Sequence, residues 1–96
     1  MALLDEVKNY LTITYEDEKT DENLNGIIKR GQAILDDYAG TEQNYEEEGL
    51  AKQLLFDYCR YARSHAAEMF EINFRRDLIA LREMTEVKLY ADQDIN

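Results

Sequence analysis

The chain has no proline, no tryptophan, one cysteine and only four glycines in 96 residues. Without proline and with so little glycine, a strand-and-turn architecture is disfavoured, because its corners depend on both. The single cysteine, Cys59, excludes an internal disulfide. Set in an apolar helical pattern, it reads as a buried thiol kept in a reducing compartment. No apolar run approaches the ~18 residues of a membrane span. Met1-Ala2-Leu3-Leu4 passes directly into Asp5 and Glu6, without the basic and apolar regions of a secretory signal. Synthesis and residence in the cytosol are expected, with no membrane partner. Bases are also scarce: 11 Lys and Arg stand against 21 Asp and Glu, a formal charge of −10. Such a molecule repels phosphate backbones, whose binding depends on counterion release to Lys and Arg, so sequence-specific nucleic-acid binding is not expected.

What is present suits one small helical domain. Hydrophobic residues make up 45% of the chain, enough to drive folding, and no linker-like stretch divides it. The charge is polarised. Residues 1–48 hold 13 acids and 4 bases, whereas residues 49–96 hold 8 acids and 7 bases. The uneven distribution is either a solvated face or a surface complementary to a partner.

Apolar spacing predicts about four helices. Leu3, Leu4, Val7 and Leu11 share one face of a first short helix. Thr12 to Tyr15 reads as an extended exit, and Glu16-Asp17-Glu18 as a loop kept open by self-repulsion. A second helix, capped by Thr20 or Asp21, carries Leu24, Ile27, Ile28, Gly31, Ile34 or Leu35, and Tyr38, and stops at Gly40. Gly31 lies on its apolar face, where a missing side chain admits another helix. Asn44 with Glu47 three residues on resembles a capping box, placing Glu46, Glu47 and Glu48 in the first turn of a long third helix. That helix, with Leu50, Leu54, Leu55, Tyr58, Cys59, Ala62 and Met69 on one stripe, is expected to run for about 25 residues. A bend near 70–73 precedes a fourth helix with Phe74, Leu78, Ile79 and Leu81. The expected fold is therefore all-α: a small bundle over 1–85 with a long central third helix, and a mobile C-terminal tail over 86–96.

The residues carry little that resembles an active centre. Cys59 and His65, six apart on one expected helix, point about 120° from each other and cannot form a dyad. The runs Asp36-Asp37 and Glu46-Glu47-Glu48 are neighbours that diverge, whereas acid–base work needs carboxylates facing across a cleft. No phosphate loop, nucleophile elbow or metal-binding spacing occurs. A non-enzymatic role without cofactor or metal is expected.

Two residue groups suit an interface. Of the seven tyrosines, Tyr15 and Tyr45 fall in expected loops and are the ones most available to a partner. Arg60, Arg63, Arg75, Arg76 and Arg82 form a basic region within an acidic protein. Pairing with Asp57, Glu68, Glu71 or Asp77 of the same chain is one explanation, and contact with the acidic half of another subunit is the other. The second contact is head-to-tail, a type that closes into rings when the rotation permits.

Longer stretches resemble one family. Leu4-Asp5-Glu6-Val7-Lys8-Asn9-Tyr10-Leu11, the acidic loop after it, and an Ile-rich helix ending Asp37-Tyr38-Ala39-Gly40-Thr41 are similar to the small head–tail connector proteins of tailed bacteriophages and prophages. Tyr58-Cys59-Arg60-Tyr61-Ala62-Arg63, Phe70-Glu71-Ile72-Asn73-Phe74 and Asp77-Leu78-Ile79-Ala80-Leu81-Arg82 continue the likeness, which spans residues 3–84. The resemblance implies a virion subunit, assembled in the bacterial cytoplasm, that forms a ring between the portal protein and the tail or stopper proteins and allows DNA to pass. It supplies no catalytic motif. An acidic regulatory or inhibitory protein that mimics DNA is the alternative that charge permits.

Overall fold

A computed structural model of the chain describes residues 2–94, with side chains as far as residue 91. Among the described residues the fold is all-α. It comprises α1 (Leu3–Tyr10), α2 (Glu18–Ala39), α3 (Leu50–Arg63), a 3-10 turn at Ala67–Met69, α4 (Phe70–Asn73) and α5 (Arg75–Asp94). The order of the helices follows the sequence expectation, with one more short segment at the bend.

α2 and α3 are the central pair. α2 buries Leu24, Ile27, Ile28, Gly31, Leu35 and Ala39, a repeat of three and four residues that keeps one face inward. α3 answers with Leu54, Leu55, Tyr58 and Cys59. At Gly31 the two helices come so close that a Cβ there would lie 2.7 Å from Leu55 Cδ1 and 2.8 Å from Tyr58 Cδ2. The glycine on the apolar face thus marks a close approach, as its position in the pattern suggests. Val7, Phe70, Leu78 and Leu81 complete the core from α1, α4 and α5.

The start of α2 differs from expectation. Asp17 is the cap, accepting from the Thr20 N–H at 3.2 Å and the Thr20 hydroxyl at 2.7 Å. These bonds hold the Asp17 carboxyl below its usual range. The acidic run taken for a loop therefore supplies the cap and first residue, because carboxylates are favoured at the positive end of a helix. At its other end, Gly40 adopts φ 93° and its N–H bonds to the Asp36 carbonyl, the expected left-handed stop.

α3 is shorter than its apolar stripe implied, at 14 residues. Its beginning is displaced because Tyr45 is drawn into the core, its hydroxyl donating to Asp36 Oδ1 at 2.6 Å, and the chain from 41 to 49 must run outside a helix to deliver it. Asn44 Oδ1 accepts from the Glu46 N–H two residues on, a turn bond in place of a helix cap. Glu46, Glu47 and Glu48 consequently precede α3. Its end is set by His65, which adopts φ 58° while Ala66 N–H reaches the Tyr61 carbonyl and His65 N–H the Ala62 carbonyl. This paired pattern closes a helix without glycine. Thr12 does the same after α1, also at φ 58°, with Ile13 N–H on the Lys8 carbonyl and Thr12 N–H on the Asn9 carbonyl.

The chain then folds back through aromatic packing. Phe70 stacks on Phe74 with ring centroids 5.0 Å apart, Tyr58 and Tyr61 meet Phe70 edge-on, and Asn73 Nδ2 donates to the Tyr61 hydroxyl at 2.9 Å. α5 leaves this corner and continues well beyond Met84, where the apolar period weakens. Residues 86–94, assigned to the tail, are helical, and residues 95 and 96 lie outside the described ones. A 20-residue helix is about 30 Å long, and the molecule is elongated, 49 Å in its longest dimension against 17 Å in its shortest.

Candidate assembly surface

α5 turns only a narrow line of residues inward. Leu78, Leu81 and Thr85 are buried at spacings of three and four, and the Thr85 hydroxyl is satisfied by the Leu81 carbonyl at 2.8 Å. The remainder of its apolar content faces outward. Ile79, Met84, Val87, Leu89 and Tyr90 are exposed by 51%, 58%, 70%, 44% and 69%, and Ile72 on α4 by 68%. Isolated apolar residues on a surface are ordinary; their succession along one helix makes α5 the candidate interaction surface.

Of the grooves along this helix, two differ in charge. One, of about 390 Å³, is lined by Tyr38, Glu71, Ile72, Arg75, Ile79 and Arg82. Partial burial and then the nearby Glu71 carboxylate hold the Tyr38 phenol above its ordinary value. The second groove, also about 390 Å³, lies where the 41–51 segment passes α5 and is bordered by Glu42, Glu47, Glu48, Met84, Lys88 and Leu89. The first groove is rich in arginine and the second in glutamate.

The residues singled out from sequence fall into three sets. Tyr45 is removed from the surface: it is 6% exposed, and burial and then the Asp36 bond drive its phenol far above the usual value. It is a structural anchor because the apolar space beneath the 41–49 segment takes a large ring whose hydroxyl has a partner. Arg60, Arg63 and Tyr15 are engaged within the chain. Arg60 approaches Asp57 at 3.7 Å and lies over the Tyr61 ring at 5.1 Å, and Arg63 Nη2 donates to the half-exposed Tyr15 hydroxyl at 3.1 Å. Both arginines also sit in the last turn of α3, where cations are favoured. Arg75, Arg76 and Arg82 project from α5, all exposed. Arg82 pairs with Glu86 at 3.2 Å, whereas no carboxylate among the described residues lies within 4.0 Å of Arg75 or Arg76.

Several ionic contacts escaped the sequence reading, and they secure the bundle. Lys52 is buried and paired to Glu6 of α1 and, at 2.8 Å, to Glu48. Those carboxylates, Glu48 first, raise the pKa of the Lys52 ammonium. Lys8 Nζ lies 2.9 Å from the buried Asp21 Oδ1, an ion pair that ties α1 to α2. Buried Asp57 accepts from the Tyr10 hydroxyl at 2.9 Å. Spacing alone signals only Lys52–Glu48, four residues apart; the contacts of Lys52 with Glu6, Lys8 with Asp21 and Asp57 with Tyr10 join helices separated in the chain.

Cys59 is wholly buried, and burial pushes its thiol up to about 12. A thiol in that state is a poor nucleophile at neutral pH. His65, exposed at the left-handed turn after α3, does not share a helix with it. Among the described residues no helix is long and apolar enough to cross a membrane. No known protein family, no curated protein and no solved structure matches the chain.

Proposed function

We propose that this chain is a structural assembly subunit of the head–tail connector type, acting in several copies as a ring between a portal protein and the tail or stopper proteins. The observation that carries this reading is α5: a helix extending past the core with exposed apolar residues along its length and unpaired arginines at its root. The resemblance across residues 3–84 supports the same role. Such a ring conducts DNA without holding it when carboxylates line the channel, and the exposed acids Glu16, Asp17, Glu18 and Glu22 are suited to that position.

Native mass spectrometry across a concentration series, with and without the portal protein from the same genome, tests the proposal. Ring-sized species, formed alone or on the portal, are the expected result. A chain that stays monomeric in both conditions overturns it, whereas a ring structure with an arginine-lined channel overturns only the acidic lining. Competition with DNA for a basic enzyme, without assembly, would establish the DNA-mimic alternative instead.

A further inference from the structure

The two flanks of α5 differ in charge but share a form. On one flank, exposed Ile72 and Ile79 lie among Arg75 and Arg82. On the other, exposed Met84 and Leu89 lie beside Glu42 and Glu47. A helix turns about 100° per residue, so Arg75 and Arg82 project within ~20° of each other. The two grooves share no lining residue, the first following α5 from Arg75 to Arg82 and the second from Leu81 to Leu89, and each combines an apolar centre with charge at its edge.

We infer that neighbouring copies of this chain join head to tail through these flanks, the Arg75 and Arg82 side of one α5 receiving the Glu42 and Glu47 side of the next. The inference rests on the assembly reading above and specifies its contact. The occupant is a second copy because the complementary charge is carried by the same molecule, in a separate groove. A two-fold pairing of either flank with itself brings its majority charge onto its own sign, Arg75 and Arg82 against one Glu71, or Glu42, Glu47 and Glu48 against one Lys88, which is repulsive on balance. Contacts between different patches propagate in one direction, and closure of that rotation yields a ring. Glu42 and Glu47 have no cation within 4.0 Å among the described residues, and Arg75 has no carboxylate, so these charges are available to a neighbour.

Charge exchange tests the contact on the full chain. The double variants Arg75→Glu/Arg82→Glu and Glu42→Arg/Glu47→Arg are compared with the parent chain by sedimentation velocity from ~1 μM to ~1 mM, with circular dichroism to establish that each is folded. Each variant alone is expected to self-associate at least about tenfold more weakly than the parent, and an equimolar mixture is expected to recover assembly, because one variant offers two acidic flanks and the other two basic ones. If the parent assembles and both variants assemble equally well, this contact is wrong while the ring reading stands. If parent, variants and mixture all remain monomeric, the contact is overturned, and monomers persisting with portal protein added overturn the ring reading as well.

Discussion

α2 and α5 are nearly equal in length, at 22 and 20 residues, yet they serve opposite purposes. α2 turns its apolar residues inward and is closed at both ends by local bonds, from Asp17 and at Gly40. α5 contributes Leu78, Leu81 and Thr85 to the interior and leaves Ile79, Met84, Val87, Leu89 and Tyr90 outside. A helix earns stability from what its apolar face covers, so α2 is a folding element and α5 is partly a display element. Mutations in the two are therefore expected to act on different measurements.

Truncation at the centre of α2 has the largest expected effect. Leu35 is wholly buried, and Leu35→Ala should lower unfolding stability by about 2–5 kcal/mol in chemical denaturation. A loss below ~1 kcal/mol would mean that α2 does not organise the core. Gly31→Ala follows. Overpacking against Leu55 and Tyr58 costs about 1–3 kcal/mol and better helix propensity returns about 1, leaving a net loss of up to about 2 kcal/mol, with a greater loss for Gly31→Val. A stabilised Gly31→Ala protein would show that the helices do not meet there.

The left-handed stops that flank the shorter helices predict gains. Thr12 and His65 both hold φ 58°, a conformation that costs side-chain-bearing residues about 1 kcal/mol or more, and most for a β-branched one. Thr12→Gly and His65→Gly should each stabilise the fold by about 1 kcal/mol in thermal melts, offset in part by unfolded-chain entropy. Unchanged or lower melting temperatures for both would remove these residues from the left-handed region.

Alkaline pH tests the core around α3. The Cys59 thiol is raised from 9.0 to about 12 by burial, and the Tyr45 phenol is raised by burial and Asp36. In each case the folded state keeps a proton that the unfolded state releases. This stabilisation is complete below the unfolded pKa and disappears as pH rises towards the folded one. Stability should fall from about pH 9 to 12, and Cys59→Ala should flatten that decline. A decline of the same slope in Cys59→Ala would exclude the thiol as a cause.

The smallest effect is expected on the outer side of α5. Ile79→Ser and Met84→Ser should change unfolding stability by no more than about 0.5 kcal/mol, because neither side chain is buried in the single chain. Both should weaken self-association measured by sedimentation. A large loss of monomer stability would place these residues in the fold and erase the contrast with α2.

Much of the fold was readable from local pattern. The Ile27-Ile28 spacing, the glycine stop at 40 and the placement of Gly31 on an apolar face all rest on contacts within a few residues or on helix period. The start and end of α3 were not readable in the same way. Asn44 with Glu47 has the form of a cap, yet burial of Tyr45 against Asp36 overrides it, and His65 ends the helix although nothing in a histidine announces a stop. The candidate surface was half legible: Arg75, Arg76 and Arg82 were apparent as a basic group, whereas Arg60 and Arg63 were separated from them by intrachain partners. Val87, Leu89 and Tyr90, set among polar residues, looked like the loss of a helix rather than its exposed continuation.

Composition and period determined that the chain is helical, that α2 has one inward face and that negative charge concentrates in the first half, because these depend on residue type and on a repeat of 3.6. Only the tertiary structure decided that Tyr45 is inside, that Glu6 of α1 joins Glu48 on Lys52, and that the flanks of α5 carry opposite charge. Each of those results from segments distant in the chain competing for one volume or one charge, and the outcome depends on which partners the folded backbone brings within reach.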